Sequence, residues 1–358
     1  MYNVAIIGCG RISHKIAEGI AKNNDRMKLV VLCDPIEEKM FETEKTYSKK
    51  IENEVSLLKY KDYKEILKQN KIDIAIISTE SGYHEEIGLY FLENGVNLII
   101  EKPLAMSIEG AQKLVDTAKK NNLKLAASHQ NRFNYPIQLL KKAIKENRLG
   151  KIFNGMARIL WTRDDNYYLQ APWRGTWALD GGTLMNQCIH NIDLINWMMD
   201  DEIDTVYAQT SNYIRNIEAE DYGVILIRYK SGKIATIEGS AIVYPKNLEE
   251  TLTITGEKGT VVIGGMAVNK INTWRVEGDN EQEYLSIDCG DPNSVYGYGH
   301  EALYKDFLDA LDENREPLVN GIAGLEAVKI ILAAYKSQKT GLPVKFNEFL
   351  KFSTLDMV

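Results

Sequence analysis

Cysteine is scarce in this sequence, with only four among 358 residues. The four are far apart, form no Cys-x-x-Cys pair and have no histidine at zinc-ligand spacing: Cys9, Cys33, Cys188 and Cys289. A disulfide framework is therefore not expected, and free thiols in a reducing compartment are predicted. Because no cluster of three plausible metal ligands appears, no metal site is predicted either.

Long hydrophobic runs and dense basic stretches are also missing. Apolar runs such as Ile74–Ile77 are far too short to span a membrane. The net charge is −7, and no basic run offers a footprint for nucleic-acid phosphates. The first apolar strand begins almost at the N-terminus, which leaves no room for a signal peptide. We expect a soluble cytoplasmic protein with neither a nucleic acid nor a membrane as partner.

A chain of this length exceeds what one hydrophobic core normally supports, so two domains are expected. The first third contains short, nearly unbroken apolar runs separated by helical stretches such as 107–121. Runs of this kind are typical of strands that are buried on both faces. They predict an α/β domain with a doubly wound parallel sheet over residues 1–126. The runs are Val4–Ile7, Leu29–Cys33, Ile74–Ile77, Val96–Ile100 and Leu125–Ala127.

The pattern changes after about Ser128, where a second domain over residues 127–358 is predicted. Helices are expected near 136–147 and 185–199, and a long strand near 152–161. Later strand-like runs are separated by the turn signals Lys230–Lys233 and Gly256–Gly259, which favour antiparallel hairpins. This indicates an α+β domain with a large, mostly antiparallel, open-faced sheet. Two helices near 300–311 and 323–337 close the chain and are able to pack back on the first domain.

A glycine-rich turn, Gly8-Cys9-Gly10-Arg11-Ile12-Ser13, follows the first predicted strand and opens the first helix. The first glycine permits a tight turn, and the second lets the backbone approach a pyrophosphate at the helix N-terminus. Ser13 occupies the position that is usually Gly or Ala, and serine is small enough for close packing. The turn therefore predicts a Rossmann dinucleotide site that includes Gly8, Gly10, Arg11 and Ile12.

Asp34 ends the second predicted strand, near the spacing of roughly 20 residues expected for a ribose-binding carboxylate. Such a group accepts hydrogen bonds from ribose hydroxyls and repels a 2′-phosphate. Nothing basic follows it immediately, so NAD is predicted rather than NADP. The alternative is that Asp34 only terminates its strand.

Two further segments end predicted strands of the parallel sheet. Ser78-Thr79 ends one strand, and Glu101-Lys102-Pro103 ends the next. Ligands of open α/β sheets bind outside the carboxyl ends of the strands, so both segments are expected to face the cofactor. A solvated surface lysine is the alternative for Lys102. Whether the Lys102–Pro103 bond is cis or trans stays open.

Taken together, these segments resemble the glucose–fructose oxidoreductase / inositol dehydrogenase (Gfo/Idh/MocA) family over essentially the whole chain. The resemblance is carried by GCGRIS at the start, STESGYH at 78–84, EKP at 101–103, NRF at 131–133 and GGTLMNQCIHNIDLINW at 181–197. It implies that Lys102 and His190 flank the reacting sugar carbon. It also implies a cofactor site that includes His84, Glu101 and Gln130. Many members have an aspartate where this chain has Asn186.

Other segments are similar to one branch of that family, the UDP-N-acetylglucosaminuronate 3-dehydrogenases. These segments are 167–168, 171–177, 244–249 and 295–300. The resemblance implies oxidation of a sugar 3-hydroxyl with hydride transfer to NAD. It also implies a homo-oligomer, a dimer or tetramer, because family members commonly pack their open sheets against each other.

The helix predicted at 185–199 carries a polar face and an apolar face. Asn186, His190, Asp193 and Trp197 share one face at 100° per residue, and Cys188, Ile192, Ile195 and Met199 share the other. Because histidine titrates near neutrality, we expect His190 to accept the hydroxyl proton and Lys102 to stabilise negative charge on oxygen. The reverse assignment stays open. A structural pair of His190 with Asp193 is the alternative to a catalytic role.

A UDP-sugar acid carries a diphosphate and a carboxylate, so cations must line its site. Arginine forks suit both anions, and aromatic rings can stack on the sugar or uracil. For each residue, a surface or core role is the alternative. Two other functions also stay open: an inositol or simple-sugar dehydrogenase, and a catalytically silent NAD-binding regulator. The predicted substrate residues are Asn186, Arg163, Tyr167, Tyr168, Trp173, Arg174 and Lys246.

Overall fold

The computed structural model describes residues 1–290 and 299–358. Part of the family resemblance, residues 295–298, lies outside this range. The strands are β1 Tyr2–Ile7, β2 Met27–Cys33, β3 Leu58–Tyr60, β4 Ile74–Ile77, β5 Asn97–Ile100, β6 Leu125–Ala127, β7 Ile152–Leu160, β8 Ile203–Ser211, β9 Tyr222–Tyr229, β10 Ile234–Ser240, β11 Glu249–Gly256, β12 Gly259–Gly264, β13 Lys270–Val276 and β14 Val344–Lys345. The helices are α1 Ser13–Lys22, α2 Glu37–Lys50, α3 Ile66–Gln69, α4 His84–Glu93, α5 Ile108–Lys120, α6 Tyr135–Lys145, α7 Asp165–Leu169, α8 Thr183–Asn186, α9 Ile189–Met199, α10 Glu281–Leu285, α11 Gly299–Asp312 and α12 Gly321–Thr340.

The first compact unit comprises Met1–Ser128 together with His300–Leu325. Its sheet has the order β3-β2-β1-β4-β5-β6, and every pair is parallel. This confirms the predicted doubly wound sheet, whose order is that of a dinucleotide-binding fold. All four residues of β4 are fully buried, as expected for a strand covered on both faces. Helix α11, from the later segment His300–Leu325, packs tightly against α1, since a Cβ on Gly19 would lie 2.4 Å from the Tyr304 ring.

The second compact unit comprises His129–Gly299 and Glu326–Val358. Its sheet has the order β13-β12-β11-β7-β10-β9-β8-β14, and its pairs are antiparallel except for β7 with β10. The two predicted hairpins, β9–β10 and β11–β12, are both present. The predicted mostly antiparallel sheet is therefore confirmed.

Helix α9 packs on one face of this sheet through its apolar stripe. A Cβ on Gly155 would lie 2.5 Å from Ile195 Cδ1, and one on Gly239 would lie 2.5 Å from Cys188 Sγ. The two glycines thus let the helix approach the strands closely. The predicted apolar face, Cys188, Ile192, Ile195 and Met199, is fully buried.

The prediction of a single helix over 185–199 is wrong. It is interrupted after Asn186, because the Cys188 amide donates to the Thr183 carbonyl at 3.0 Å and a new helix starts at Ile189. The amides of Asn191 and Ile192 then both donate to the Cys188 carbonyl at 3.0 Å. As a result, Asn186 lies on a separate helical turn and does not continue the face of His190.

Strand β3 was missed from the sequence, and helix α10 falls where only strands were predicted. Strand β3 is three residues long and lies at the sheet edge with Leu58 exposed, so it lacks an apolar signal. Among the described residues, no helix is both long and apolar enough to cross a membrane.

Candidate functional site

The glycine-rich turn joins β1 to α1 at the carboxyl edge of the parallel sheet. Gly8 has φ +93°, and a Cβ there would lie 2.6 Å from the backbone of Ser78 and Thr79. A Cβ on Gly10, in contrast, would meet no atom within 4 Å. Gly8 therefore meets a packing requirement between β1 and β4. Gly10 leaves open space of the kind that a bound pyrophosphate needs.

The turn is fixed by polar groups of its own unit. Ser78 Oγ donates to the Gly8 carbonyl at 2.7 Å. Ser13 Oγ donates to the Gly10 carbonyl at 2.7 Å and shares a hydrogen bond with Thr43. Serine at the third fingerprint position thus ties the turn to α2. Ile12 precedes the first residue of α1, and Arg11 is exposed beside it.

Asp34 lies directly against the glycine-rich turn, in the position expected from its place after β2. Its Oδ2 accepts from the Cys9 amide at 2.8 Å, and its Oδ1 accepts from the Ile36 amide at 2.9 Å. Only 6% of the residue is exposed. A carboxylate held there suits the ribose of NAD and disfavours a 2′-phosphate.

His84 connects the ends of β4 and β5. Its Nδ1 lies 2.7 Å from the Pro103 carbonyl oxygen, and its Nε2 lies 3.2 Å from the Thr79 carbonyl oxygen. Burial lowers the pKa of His84 below its usual value. The Lys102–Pro103 bond is cis, and Lys102 is half-buried. In this unit His84 therefore holds together the two backbone segments that carry the predicted cofactor residues Thr79 and Lys102.

Glu101 is buried in a polar cluster that the sequence did not reveal. Its Oε1 lies 4.0 Å from His300 Nε2, and both side chains are buried. Burial raises the pKa of Glu101 and lowers the pKa of His300 to about 4. No sequence signal connected His300 to Glu101, because the two are about 200 residues apart and the return of α11 brings them together.

His190 is the second residue of α9 in the other unit. Its ring lies edge-on to His129, with centroids 5.6 Å apart and an interplanar angle of 87°. Asp193, one turn further along, accepts from Arg132 Nε at 2.8 Å and from Arg132 Nη2 at 2.6 Å. Because Arg132 occupies both carboxylate oxygens, Asp193 anchors the helix to the 130–133 turn. The buried Gln130 begins that turn.

Three of the predicted substrate residues, Arg163, Arg174 and Tyr168, come together around the ring of a fourth, Tyr167. The Arg174 guanidinium carbon lies 4.2 Å from the Tyr167 ring centroid, and that of Arg163 lies 5.3 Å away. Tyr168 packs edge-on against Tyr167 with centroids 5.1 Å apart. The Trp173 ring centroid lies 5.6 Å from the Arg174 guanidinium carbon. We refer to Arg163, Arg174, Tyr167 and Tyr168 as the Arg–Tyr cluster.

Lys246 lies in the exposed loop 244–248 and is not among the side chains that contact the Tyr167 ring. Its neighbour Asn247 makes the connection instead, because Asn247 Oδ1 accepts from the Thr162 amide at 3.0 Å and from Arg163 at 3.5 Å.

Arg215 is a further cation that sequence reasoning missed. It lies 3.4 Å from Asp165, and its positive charge acts on the Tyr168 hydroxyl together with that of Arg163. The loop that carries it is held by the buried Asp221, which accepts three backbone amides, those of Tyr213, Ile214 and Arg215. No sequence motif marks Arg215 as a residue of the site. It depends on the fold of its loop.

A narrow crevice lies beside Tyr167 and Tyr168. Asn186 and Gln187 form part of its wall, and Asn186 Nδ2 donates to Asp180 Oδ1. Gln187 Nε2 donates to Asn186 Oδ1 at 2.6 Å and to the Tyr167 hydroxyl at 3.1 Å. Asn186 is thus linked to Tyr167 through Gln187. Among the described residues, no group of three or more potential metal ligands is present.

The parallel sheet, the glycine-rich turn and the carboxylate after β2 define an NAD-binding oxidoreductase class. Family models agree: "Oxidoreductase family, NAD-binding Rossmann fold" matches residues 2–129, and "Oxidoreductase family, C-terminal alpha/beta domain" matches residues 141–346. The chain belongs to the Gfo/Idh/MocA oxidoreductase family. It is an NAD-dependent sugar oxidoreductase.

The chain is similar to several solved structures and curated proteins. The WlbA dehydrogenase from Bordetella pertussis, in complex with NADH and UDP-GlcNAcA, is 32% identical with a TM-score of 0.85, covering 96% of this chain and 98% of the other. The WlbA dehydrogenase from Chromobacterium violaceum, with the same ligands, is 33% identical with a TM-score of 0.85, covering 96% and 95%. The myo-inositol 2-dehydrogenase of Thermotoga maritima is 24% identical, covering 97% of this chain and 99% of the relative.

The two glycines of the turn should respond differently to substitution. Gly10→Val should change the melting temperature of the ligand-free protein little, because a Cβ at this position meets no atom within 4 Å. It should weaken NAD binding by a factor of about 10 or more, since that space is needed by the pyrophosphate. Gly8→Ala is the contrasting variant and should lower the melting temperature without NAD. Thermal unfolding with increasing NAD measures both. Normal NAD binding by Gly10→Val would contradict this role of Gly10.

Proposed function

We propose that this protein oxidises C3 of a UDP-N-acetylated hexuronic acid and transfers the hydride to NAD. The observation that carries the proposal is the Arg–Tyr cluster. It places Arg163 and Arg174 around Tyr167, with Arg215 close to Tyr168. Guanidinium groups bind diphosphates and carboxylates, and the aromatic rings offer flat faces for sugar and base. An uncharged inositol has no anionic group to pair with these cations. The two WlbA structures, which contain UDP-GlcNAcA, support the same substrate class.

The chemistry requires a proton acceptor and a group that stabilises charge on oxygen. We propose that His190 takes the proton of the sugar hydroxyl and that the Lys102 ammonium stabilises the developing negative charge. Bound NAD supplies the hydride acceptor. Gly8, Gly10, Asp34, Ser78 and Thr79 hold and orient it at the strand ends, with Arg11, Ile12, His84, Glu101 and Gln130 completing the proposed set.

The substrate class can be tested without knowing the exact sugar. A ligand that binds only the folded state must raise the melting temperature. We expect NAD together with UDP-GlcNAcA to give a larger shift than NAD alone, and NADH absorbance to appear in the same sample. UDP-GlcNAc, which lacks the carboxylate, is the matched control and should bind more weakly.

Two outcomes of this panel would contradict the proposal. Oxidation of myo-inositol without binding of UDP-GlcNAcA would establish an inositol dehydrogenase, the activity of the Thermotoga relative. Binding of NAD with no NADH formed from any sugar of the panel would indicate a catalytically silent regulator.

We also propose that the open sheet face forms a homo-oligomer interface. Met156, Val224 and Leu226 are 46%, 37% and 43% exposed on this face. Leu226 pairs with Thr236, and Thr236 pairs with Met156, so Leu226 and Met156 lie in one cross-strand row. Such a patch is typical of an association surface.

Leu226→Glu should therefore reduce the native mass measured by light scattering to that of a monomer, because it places charge in the interface. Leu58→Glu, at an exposed leucine of β3 in the other unit, should leave that mass unchanged. A wild-type protein that is already monomeric would contradict the interface.

A further inference from the structure

Four side chains at the crevice, those of Asp180, Asn186, Gln187 and Tyr167, are connected by hydrogen bonds. Asp180 accepts from Asn186 Nδ2, and its second oxygen accepts from the Gly175 amide at 2.8 Å. Gln187 Nε2 then donates to both Asn186 Oδ1 and the Tyr167 oxygen, at 2.6 and 3.1 Å. The chain therefore runs from a buried carboxylate to an aromatic hydroxyl in the Arg–Tyr cluster.

The chemistry of Asp180 gives this chain one direction. An ionised carboxylate only accepts hydrogen bonds, so Asn186 must present its NH₂ group to Asp180 and its carbonyl to Gln187. Gln187 must then present its NH₂ group to Asn186 and to Tyr167. The Tyr167 oxygen accepts this bond, so its own proton is directed to an acceptor other than Gln187. A neutral amide at position 180 would remove the constraint, because an amide can both donate and accept.

We propose that Asp180 is a positioning residue whose carboxylate sets the direction of the Asn186–Gln187–Tyr167 chain, so that Tyr167 donates its hydroxyl proton to an anionic oxygen of the substrate. This inference rests on the proposed function and adds a residue that determines specificity. The Arg174 guanidinium carbon lies 4.2 Å from the ring centroid of Tyr167, so the donated proton and the cation act on the same ligand region.

The same arrangement explains why Asn186 is an amide. A carboxylate in its place would face the carboxylate of Asp180 at hydrogen-bond distance, and two such groups cannot both ionise without cost. With the two residue types exchanged, every bond is restored. The amide at position 180 would accept from Gly175 and donate to the carboxylate at position 186, which would still accept from Gln187. The exchange therefore keeps the direction of the bond to Tyr167.

Three variants test the chain without any substrate: Asp180→Asn, Asn186→Asp and the exchange Asp180→Asn/Asn186→Asp. We expect Asn186→Asp to lower the melting temperature more at pH 8.5 than at pH 5.5. One of its two facing carboxyls has a raised folded-state pKa, and its stabilising protonated form is lost as pH rises. The exchange variant should follow the wild type at both pH values.

Nearby groups that titrate are the same in every variant. Glu220, Tyr168 and Tyr335 interact electrostatically with Asp180, and Arg163 and Arg215 act on Tyr168. Burial raises the pKa of Glu220 to about 8, so the wild type should itself lose stability as pH rises from about 4.5 toward 8. The test is therefore the difference between each variant and the wild type at each pH.

Kinetics with UDP-GlcNAcA test positioning against a merely structural role. Asp180→Asn and Tyr167→Phe should each raise KM about tenfold, the scale of one hydrogen bond to a charged group, with kcat within about threefold of wild type. The double variant Asp180→Asn/Tyr167→Phe should be no worse than either single variant, because both remove the same donor. The exchange variant should recover most of the wild-type KM.

Two results would overturn the inference. One is an Asn186→Asp variant that is as stable as the wild type at pH 8.5. The other is a double variant Asp180→Asn/Tyr167→Phe whose increase in KM equals the product of the two single increases. If wild-type protein neither binds nor oxidises UDP-GlcNAcA, the proposed function fails. In that case the stability pattern of the exchange set alone decides whether Asp180 directs the chain.

Discussion

Replacement of His190 by alanine should lower kcat by a factor of about 10²–10⁴, the usual contribution of a positioned acid or base. Replacement of Lys102 by alanine should have an effect of similar size, because it removes the charge that stabilises the developing oxyanion. Both variants should keep their melting temperature without NAD, since both side chains are only half-buried, and His190→Ala should still bind NAD. Steady-state NADH formation, together with thermal unfolding with and without NAD, measures these expectations.

Matched controls separate catalysis from general loss of charge. Lys71→Ala, whose side chain is 88% exposed, and His14→Ala, whose ring bonds to Thr46, should keep wild-type kcat. Near-normal turnover by both the Lys102 and the His190 alanine variants would show that the proposed mechanism is wrong.

A second pair of variants assigns the roles of the two groups. If Lys102 acts as a charge, Lys102→Arg should keep part of the activity that Lys102→Ala loses. If His190 is the base, kcat/KM of the wild type should fall toward low pH, because a protonated imidazole cannot accept the hydroxyl proton. That acid limb should be absent in His190→Ala. An inactive Lys102→Arg variant with the acid limb kept in His190→Ala would support the reverse assignment.

Breaking the ion pair between Arg132 and Asp193 should give the largest loss of stability. The two side chains are 8% and 2% exposed, and the pair is bidentate. Removing one partner leaves an uncompensated buried charge, which typically costs about 3–5 kcal/mol. We therefore expect Asp193→Ala and Arg132→Met each to lower the free energy of unfolding by about that amount, measured by urea denaturation.

Two controls accompany that measurement. The double variant Arg132→Met/Asp193→Leu removes both charges of the pair, so it should be more stable than either single variant. Glu249→Gln, which weakens the half-exposed pair with Arg158, should cost less than about 1 kcal/mol. If the double variant lost as much free energy of unfolding as the two single variants together, an unpaired buried charge would not be the cause of the losses.

The parallel sheet and the glycine-rich turn could be predicted because their signals are local. A strand buried on both faces is a short apolar run, and a dinucleotide turn needs glycine at fixed positions. Strand β3 could not be predicted, because an edge strand of three residues with Leu58 exposed has no such pattern. The break between α8 and α9 was missed because the helical period of the sequence continues across Gln187 and Cys188.

The polar part of the site depends on long-range contacts and was predicted less completely. Arg163, Arg174 and the two tyrosines were predicted from resemblance, and the structure brings them together. Asp180 and Arg215 could not be found, because each reaches the cluster through a loop whose shape no motif encodes. Asn186 was recognised as a departure from the family pattern. The physical reason for an amide at this position is the facing carboxylate of Asp180, a contact that forms only in the folded chain.

The central claim is that hydride leaves C3 of a UDP-N-acetylated hexuronic acid. Single-turnover reaction of enzyme and NAD with UDP-GlcNAcA carrying deuterium at C3, followed by mass spectrometry of the quenched cofactor, tests it directly. The account predicts NADH that is one mass unit heavier than NADH from unlabelled substrate. Light NADH from the C3-labelled sugar, with heavy NADH from a sugar labelled at another carbon, would contradict it.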